Sequence, residues 1–142
     1  MLGGKYRVVV YNNSGANMGA NGTVTVKRRG WYINQLGVPI WETGASTVIF
    51  TNTSATPTGS TNTADATVVD NAGQANPYLG GEFECTFQAA GAATGTVSFV
   101  LQRAADATTP TWPDSGAPPK GEYIVTMVAN GTNVVRDCIE YD

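Results

Sequence analysis

Two glutamates, Glu82 and Glu84, have the spacing that comes nearest to a catalytic pair. Positions two apart on a β-strand share a face, which places two carboxyl groups within the separation used by inverting glycosidases. Acid catalysis also needs one of the two pKa values raised by burial. Phe83, Cys85 and Phe87 alternate with the glutamates, so we expect the apolar residues to face inward and both carboxylates to face solvent. The sequence therefore predicts a structural pair and no catalytic residue.

The other residue types that carry chemistry do not form a recognisable site. The chain has no histidine, which excludes Ser-His-Asp triads, Cys-His nucleophiles and zinc sites with an imidazole ligand. Cys85 and Cys138 are too far apart for a CxxC pair; we expect two separately buried thiols, with a bridge between them as the alternative. Asp65 and Asp114 lack the spacing of a calcium loop. No metal, cofactor or enzymatic activity is expected.

Charge and hydropathy argue against two classes of partner. A net charge of −3 and a pI near 4.8 do not predict nucleic-acid binding. No apolar run is long enough to span a bilayer and no signal peptide is recognised, so we expect no membrane partner and synthesis in a cytosol. Lys27, Arg28 and Arg29 form the one positive cluster, interpreted as a solvated strand end or as a contact to a phosphate or an acidic neighbouring subunit.

Four aromatic residues are the more informative group. Trp31, Tyr32, Trp41 and Trp112 fall in predicted loops or strand ends. Such residues anchor interfaces because they bury much area with few rotatable bonds, and they also stack on sugar rings. Packing in the core is the third alternative, and sequence alone leaves all three open.

A hydrophobic period of two predicts β-strands along most of the chain, and no stretch has a convincing helical period. The predicted strands cover residues 5–11, 23–27, 46–51, 66–70, 82–88, 96–103, 122–129 and 132–141. The last two flank Asn130-Gly131, a pair that suits a type I′ turn, so a C-terminal β-hairpin is predicted.

These elements predict one all-β domain over residues 1–142, a two-layer antiparallel β-sandwich of jelly-roll or immunoglobulin-like type with long loops. The long loops cover residues 12–22, 51–64 and 108–121. The first two lack apolar anchors in the sequence, whereas the third contains Trp112. Residues 31–41 are dense in large apolar groups, which is typical of an arm or hairpin that packs on another subunit.

Part of the chain resembles small structural proteins of tailed bacteriophages. Residues 95–103, which end in Leu-Gln-Arg, lead into a polar loop closed by Thr-Trp-Pro-Asp at residues 111–114, and a similar segment recurs in those proteins. Asp70-Asn71 and residues 78–84 also resemble them, so the similarity spans roughly residues 66–114. The resemblance implies a component of the virion that is made in the host cytoplasm, self-associates and acts by adhesion.

Within that class the first expectation is a capsid decoration, or cement, protein. Its partners would be the major capsid protein and its own copies, in a homo-oligomer such as a trimer. Two alternatives remain: a tail or neck protein that forms rings through the predicted C-terminal hairpin, and a carbohydrate-binding module of a fibre that binds a host glycan. The residues expected at the interface are Lys27, Arg28, Arg29, Trp31, Tyr32, Trp41 and Trp112.

Overall fold

The computed structural model describes residues 4–19, 23–53, 55–89, 93–105, 108–131 and 134–141, and every regular element in those ranges is a strand. Within them, no helix is long and apolar enough to cross a membrane. The predicted all-β class is confirmed. The strands are β1 (Lys5–Asn13), β2 (Val24–Ile33), β3 (Pro39–Trp41), β4 (Thr47–Thr51), β5 (Ser60–Asn62), β6 (Val69–Asp70), β7 (Gly80–Phe87), β8 (Thr96–Arg103), β9 (Glu122–Val128) and β10 (Val135–Tyr141).

The strands form two five-stranded antiparallel sheets packed on each other, which confirms the predicted sandwich. In the first sheet the order is β5–β1–β8–β9, with β6 also paired to β1. In the second sheet the order is β10–β7–β2–β3, with β4 also paired to β2. Because β1 pairs with β8 while β2 pairs with β7, the two pairs are nested in the chain, an arrangement that favours the jelly-roll alternative.

Alternating side chains from both sheets build one core between them. Every inward position that the period of two predicted on β1, β2, β7 and β8 is buried. Burying a side chain of the size of Val or Phe contributes about 1.5–3 kcal/mol, so these positions account for much of the folding free energy. They are Tyr6, Val8, Val10, Val24, Val26, Phe83, Cys85, Phe87, Val97, Phe99 and Leu101.

Strand β8 is buried on both faces, because residues 108–121 fold back over the outer face of the first sheet. The fully buried Gln102 donates from Nε2 to a backbone carbonyl of this loop at 2.8 Å and accepts at Oε1 from Arg7 Nε at 3.0 Å. Ser115 Oγ lies 3.1 Å from both Gln102 Oε1 and Arg7 Nη2. The Arg7 guanidinium lies over the ring of Trp112, 4.5 Å from its centroid, so Trp112 is the anchor of the loop.

The predicted C-terminal hairpin is wrong. Strand β9 pairs with β8 in the first sheet, and β10 pairs with β7 in the second, so the two strands lie in different layers. Gly131 has a φ of 59°, which is the turn conformation expected for an Asn-Gly pair. A local turn signal, however, does not determine which sheet the next strand joins, and here both strands find partners in opposite layers.

Two further expectations are corrected. Cys85 and Cys138 are both free, but only Cys85 is buried, because Cys138 lies on the edge strand β10 and is exposed. The first long loop does have an apolar anchor: Met18 is completely buried and exchanges two backbone hydrogen bonds with Thr56, both 3.1 Å. The loops of residues 12–22 and 51–64 therefore support each other where they are described.

Candidate interaction surface

The predicted interface residues on β2 are divided between its two faces. Lys27, Arg29 and Trp31 lie on the outer face of the second sheet, whereas Arg28 and Tyr32 alternate with them and turn toward the core. Successive side chains of a strand point to opposite faces, so neighbouring residues cannot share one surface. The structure brings the first three together and separates the other two from them.

The outward cations of β2 are paired with the glutamates of β7. Lys27 Nζ lies 3.5 Å from Glu84 Oε1, and Arg29 Nε lies 3.1 Å from Glu82 Oε1. Each pair is a cross-strand neighbour in the β2–β7 register. Pairs at this level of exposure contribute about 0–1 kcal/mol each, but they cancel the charge of the predicted basic cluster. This face is therefore not a positive patch, and both glutamates face outward as predicted.

Trp31 and Trp41 lie opposite each other in a hairpin formed by β2 and β3. Both are half-buried on the outer face, and the Arg29 guanidinium lies 5.1 Å from the centroid of the Trp41 ring. A cation over an aromatic ring at such a site contributes about 0.5–1 kcal/mol. Residues 31–41 therefore contain a hairpin, one of the two predicted arrangements, with its half-buried tryptophans at the base.

The turn of this hairpin presents apolar side chains to solvent. Asn34 orders the turn, because its Oδ1 accepts from the N–H groups of Leu36 at 2.9 Å and Val38 at 3.0 Å. Gly37 has a φ of 76°, a conformation that favours glycine. Leu36 is 86% exposed, Ile33 48% and Val38 47%. An exposed apolar cluster is typical of a contact site. We define the hairpin surface as Trp31, Ile33, Leu36, Val38 and Trp41.

The hairpin extends past the strand beside it. Trp31 pairs with Gly80, the first residue of β7. Among the described residues, no strand therefore pairs with β2 beyond Trp31 on the side where β7 lies. Ile33, Leu36 and Val38 were not among the residues named from the sequence. The sequence did contain a signal for them, because these three large apolar residues lie in or beside an Asn-Gln-Leu-Gly turn. No period of two assigns any of them to a buried face.

On the inward face, Arg28 forms an ion pair beneath the base of the hairpin. Its Nη1 lies 3.3 Å from Glu42 Oε2, which also accepts from the N–H of Gly30 at 3.2 Å. The guanidinium lies 5.0 Å from the centroid of the Tyr78 ring, and Gly30 leaves space for that ring because a Cβ there would clash with it. Tyr32 packs against the core with its ring centroid 6.4 Å from that of Tyr78. Arg28 and Tyr32 therefore support the fold, although Tyr32 remains partly exposed, and their place at an interface stays a prediction.

Two tyrosine hydroxyls in this cluster have shifted pKa values. Burial raises the pKa of Tyr6 to about 12, opposed by the nearby Arg28 guanidinium and reinforced by Glu42. Tyr6 Oη has no hydrogen-bond partner among the described residues. Burial is also the main cause of the raised pKa of Tyr78. Both hydroxyls therefore stay protonated at neutral pH.

Trp112 lies apart from the other predicted interface residues. Its contact with Arg7 places it on the outer face of the first sheet, whereas Trp31 and Trp41 lie on the outer face of the second sheet. The sandwich separates these two faces. The single predicted surface therefore becomes two, and only the one on the second sheet combines tryptophans with exposed aliphatic residues.

A shallow groove beside the hairpin turn is lined by five residues that carry no charge: Tyr32, Asn34, Gln35, Leu36 and Asn76. In the described ranges, no three Cys, Asp or Glu side chains lie close enough together to hold a metal ion. Comparisons of this chain with protein-family models, with curated proteins and with solved structures found no match.

Proposed function

We propose that this protein is a non-enzymatic structural component of a bacteriophage virion, made in the host cytoplasm. It decorates the capsid and stabilises the head by binding the major capsid protein and its own copies. The observation that carries the proposal is the hairpin surface, an ordered and exposed apolar projection with two tryptophans at its base. The resemblance of residues 66–114 to phage structural proteins supplies the context, and those residues include the central strands β7 and β8.

Adhesion through this surface rests on burial of apolar area. The tryptophans act as anchors of large area, and the turn adds aliphatic groups that are already ordered by Asn34, so little conformational entropy is lost on binding. A standard interface buries about 800 Å² on each partner. Repeated over a symmetric shell, many modest contacts act together, and expansion or leakage of the shell must break them first.

Substitution of both tryptophans tests the proposal. Trp31→Ala with Trp41→Ala removes the anchors while leaving the core, because both residues lie on the outer face. We expect a folded monomer with an unchanged far-ultraviolet spectrum that no longer enters particles of the phage that encodes it. Val68→Ala, at an exposed apolar residue outside the hairpin, is the matched control and should be incorporated normally. Normal incorporation of the double variant would refute the proposal.

Location on the particle separates a head protein from a tail or neck protein. Electron microscopy of particles that carry a labelled chain is expected to show density over the capsid surface. Density confined to the tail or neck would favour the alternative. Any ring would then form through another surface, because β9 and β10 do not form the predicted hairpin.

A carbohydrate-binding module of a fibre is the second candidate, favoured by the half-exposed Trp31–Trp41 pair. The Arg29 guanidinium lies over the Trp41 ring, where it would compete with a stacked sugar, so the Trp31 ring is the platform proposed here. Calorimetry with host-surface polysaccharides discriminates the two candidates. A decoration protein should give no heat of binding, whereas a saturable signal lost in Trp31→Ala would favour the sugar-binding alternative.

A further inference from the structure

The Asn130-Gly131 pair does not close the predicted hairpin, but it brings together a side-chain amide and a backbone nitrogen that can react with each other. The backbone nitrogen of the residue after an asparagine can attack the Cγ of the asparagine side chain, which closes a five-membered ring. A glycine in that position has no Cβ to obstruct the approach. The pair is therefore suited to this reaction by its residue types, and the structure decides how easily it proceeds.

Asn130 lies just after β9, between two residues whose backbone N–H groups are held by hydrogen bonds. Ala129 donates its N–H to the carbonyl of Gly95 at 2.8 Å, and Gly131 donates its N–H to that of Ala93 at 3.0 Å. Both bonds continue the antiparallel ladder of β8 and β9 in the same register. Asn130 is exposed, and a Cβ added to Gly131 would meet no described atom within 4 Å. Solvent therefore reaches the pair, while the attacking nitrogen is engaged in a hydrogen bond.

We propose that Asn130 is a site of spontaneous deamidation and that the hydrogen bond from Gly131 to Ala93 controls its rate. Hydroxide removes the proton of the Gly131 N–H, and the electron pair left on the nitrogen forms a bond to Asn130 Cγ. The Cγ–Nδ2 bond breaks, and the amide nitrogen takes up a proton from water and leaves as ammonia. Water then opens the cyclic imide at one of its two carbonyl carbons, which yields aspartate or isoaspartate. The reaction needs only water and hydroxide.

The first step of this reaction is the proton removal that also starts hydrogen exchange at a backbone amide. A proton that is held in a hydrogen bond to a carbonyl is not removed until that bond opens, so the fold should slow both processes. Gly131 lies beyond the end of β9, where opening requires less free energy than in the middle of a sheet. The folded protein should therefore deamidate at Asn130 more slowly than the unfolded chain, with a rate set by local opening.

Conversion of Asn130 would change both charge and backbone at this end of the first sheet. Deamidation adds one negative charge to a net charge of −3, and isoaspartate also inserts a methylene group into the main chain. The added length lies between Ala129, which is buried in the core, and Gly131. Because the spacing of the two anchored N–H groups changes, the Gly131 N–H should lose its protection in the isoaspartate form. This inference does not depend on the proposed virion function, because it concerns the chain alone.

Peptide mapping by mass spectrometry of the full-length protein at pH 8, folded and unfolded in urea, tests the site. In urea, Asn130 and Asn21 should deamidate at similar rates, because both precede a glycine. In the folded protein Asn130 should react slower by about tenfold or more. Asn76 is the matched control within the chain: it is exposed, but Pro77 has no N–H to lose, so Asn76 should stay unmodified. Equal rates for Asn130 in both samples, or no reaction in urea where Asn21 reacts, would overturn the proposal.

Hydrogen exchange at the Gly131 N–H, followed by NMR, tests the controlling bond directly. As urea is raised below the unfolding transition, the exchange rate of Gly131 and the deamidation rate of Asn130 should increase in parallel. Asn130→Gln should leave the exchange rate unchanged and remove the reaction at this position, because the longer side chain would have to close a six-membered ring. A Gly131 N–H that exchanges as fast as in the unfolded chain, while Asn130 stays protected, would show that the bond to Ala93 does not control the reaction.

Discussion

Two neighbouring arginines on β2 show how position on a strand changes what a charge contributes. The Arg28 side chain is 8% exposed and shares Glu42 with the N–H of Gly30, while the Arg29 side chain is 41% exposed and pairs with Glu82. A buried cation without its partner keeps its desolvation cost, whereas an exposed one is solvated by water. The two arginines are neighbours in the sequence, but the stability of the fold should depend more on the ion pair of Arg28 than on that of Arg29.

Removing each glutamate in turn measures that difference. Glu42→Ala leaves the Arg28 guanidinium buried without a carboxylate and the N–H of Gly30 without its acceptor, so we expect a loss of about 2–4 kcal/mol. Glu82→Ala is the control, with an expected loss of about 0.5 kcal/mol or less. Urea unfolding at neutral pH gives both values. Equal losses in the two variants would contradict the distinction between the faces.

At the scale of elements, the strand face on which each thiol lies decides its properties. Cys138 pairs with Glu84, whose side chain faces outward, and Cys138 is exposed. Cys85 points into the core, and its burial, with the negative charge of Asp137 next in importance, raises the pKa of its thiol to about 12. Since the thiolate is the reactive species, the two cysteines should differ strongly in reactivity.

A thiol reagent such as DTNB at pH 8 tests this assignment. We expect one thiol per chain to react in the native protein and the second to react only after unfolding in urea. Cys138→Ser should abolish the native reaction, and Cys85→Ser should leave it unchanged. Two thiols that react at one rate in the native state would contradict the burial of Cys85 in the core.

The strands were predictable because each long strand turns one face to the core, and a hydrophobic period of two marks that face. This holds for Tyr6, Val8 and Val10 on β1. Burial of Val100 and Gln102 on the other face of β8 was not predictable, since it depends on a loop that folds back from residues 108–121. Nor was the division of β9 and β10 between two sheets, which is a property of packing and not of the Asn-Gly turn.

The candidate site was only partly predictable for the same reason. Lys27, Arg29, Trp31 and Trp41 share a face as residues of paired strands, and their grouping could be guessed from proximity in the chain. The inward position of Arg28 follows from alternation once β2 is known to continue through residue 33. The separation of Trp112 could not be foreseen, because it depends on which sheet its loop covers.

At the scale of the whole molecule, one core joins the two sheets and links fold stability to pH. Tyr6 and Cys85 lie in that core, on opposite sheets, and both have pKa values raised to about 12 by burial. The folded state therefore favours the protonated, neutral form of each group. Below the unfolded pKa values, 9.0 for the thiol and 10.0 for the phenol, both states are neutral and stability is unaffected.

Above those values the unfolded chain loses its protons first, so the free energy of unfolding should fall between pH 9 and the folded values of about 12. Tyr6→Phe isolates one part of this loss. At neutral pH the variant should match the parent within about 1 kcal/mol, since Tyr6 Oη has no partner in the described structure. At pH 11 it should lose about 1.4 kcal/mol less than the parent, because a phenylalanine cannot ionise. Urea unfolding at pH 7 and pH 11 measures both differences, and a parallel decline of the two proteins with pH would show that Tyr6 is not shielded in the core.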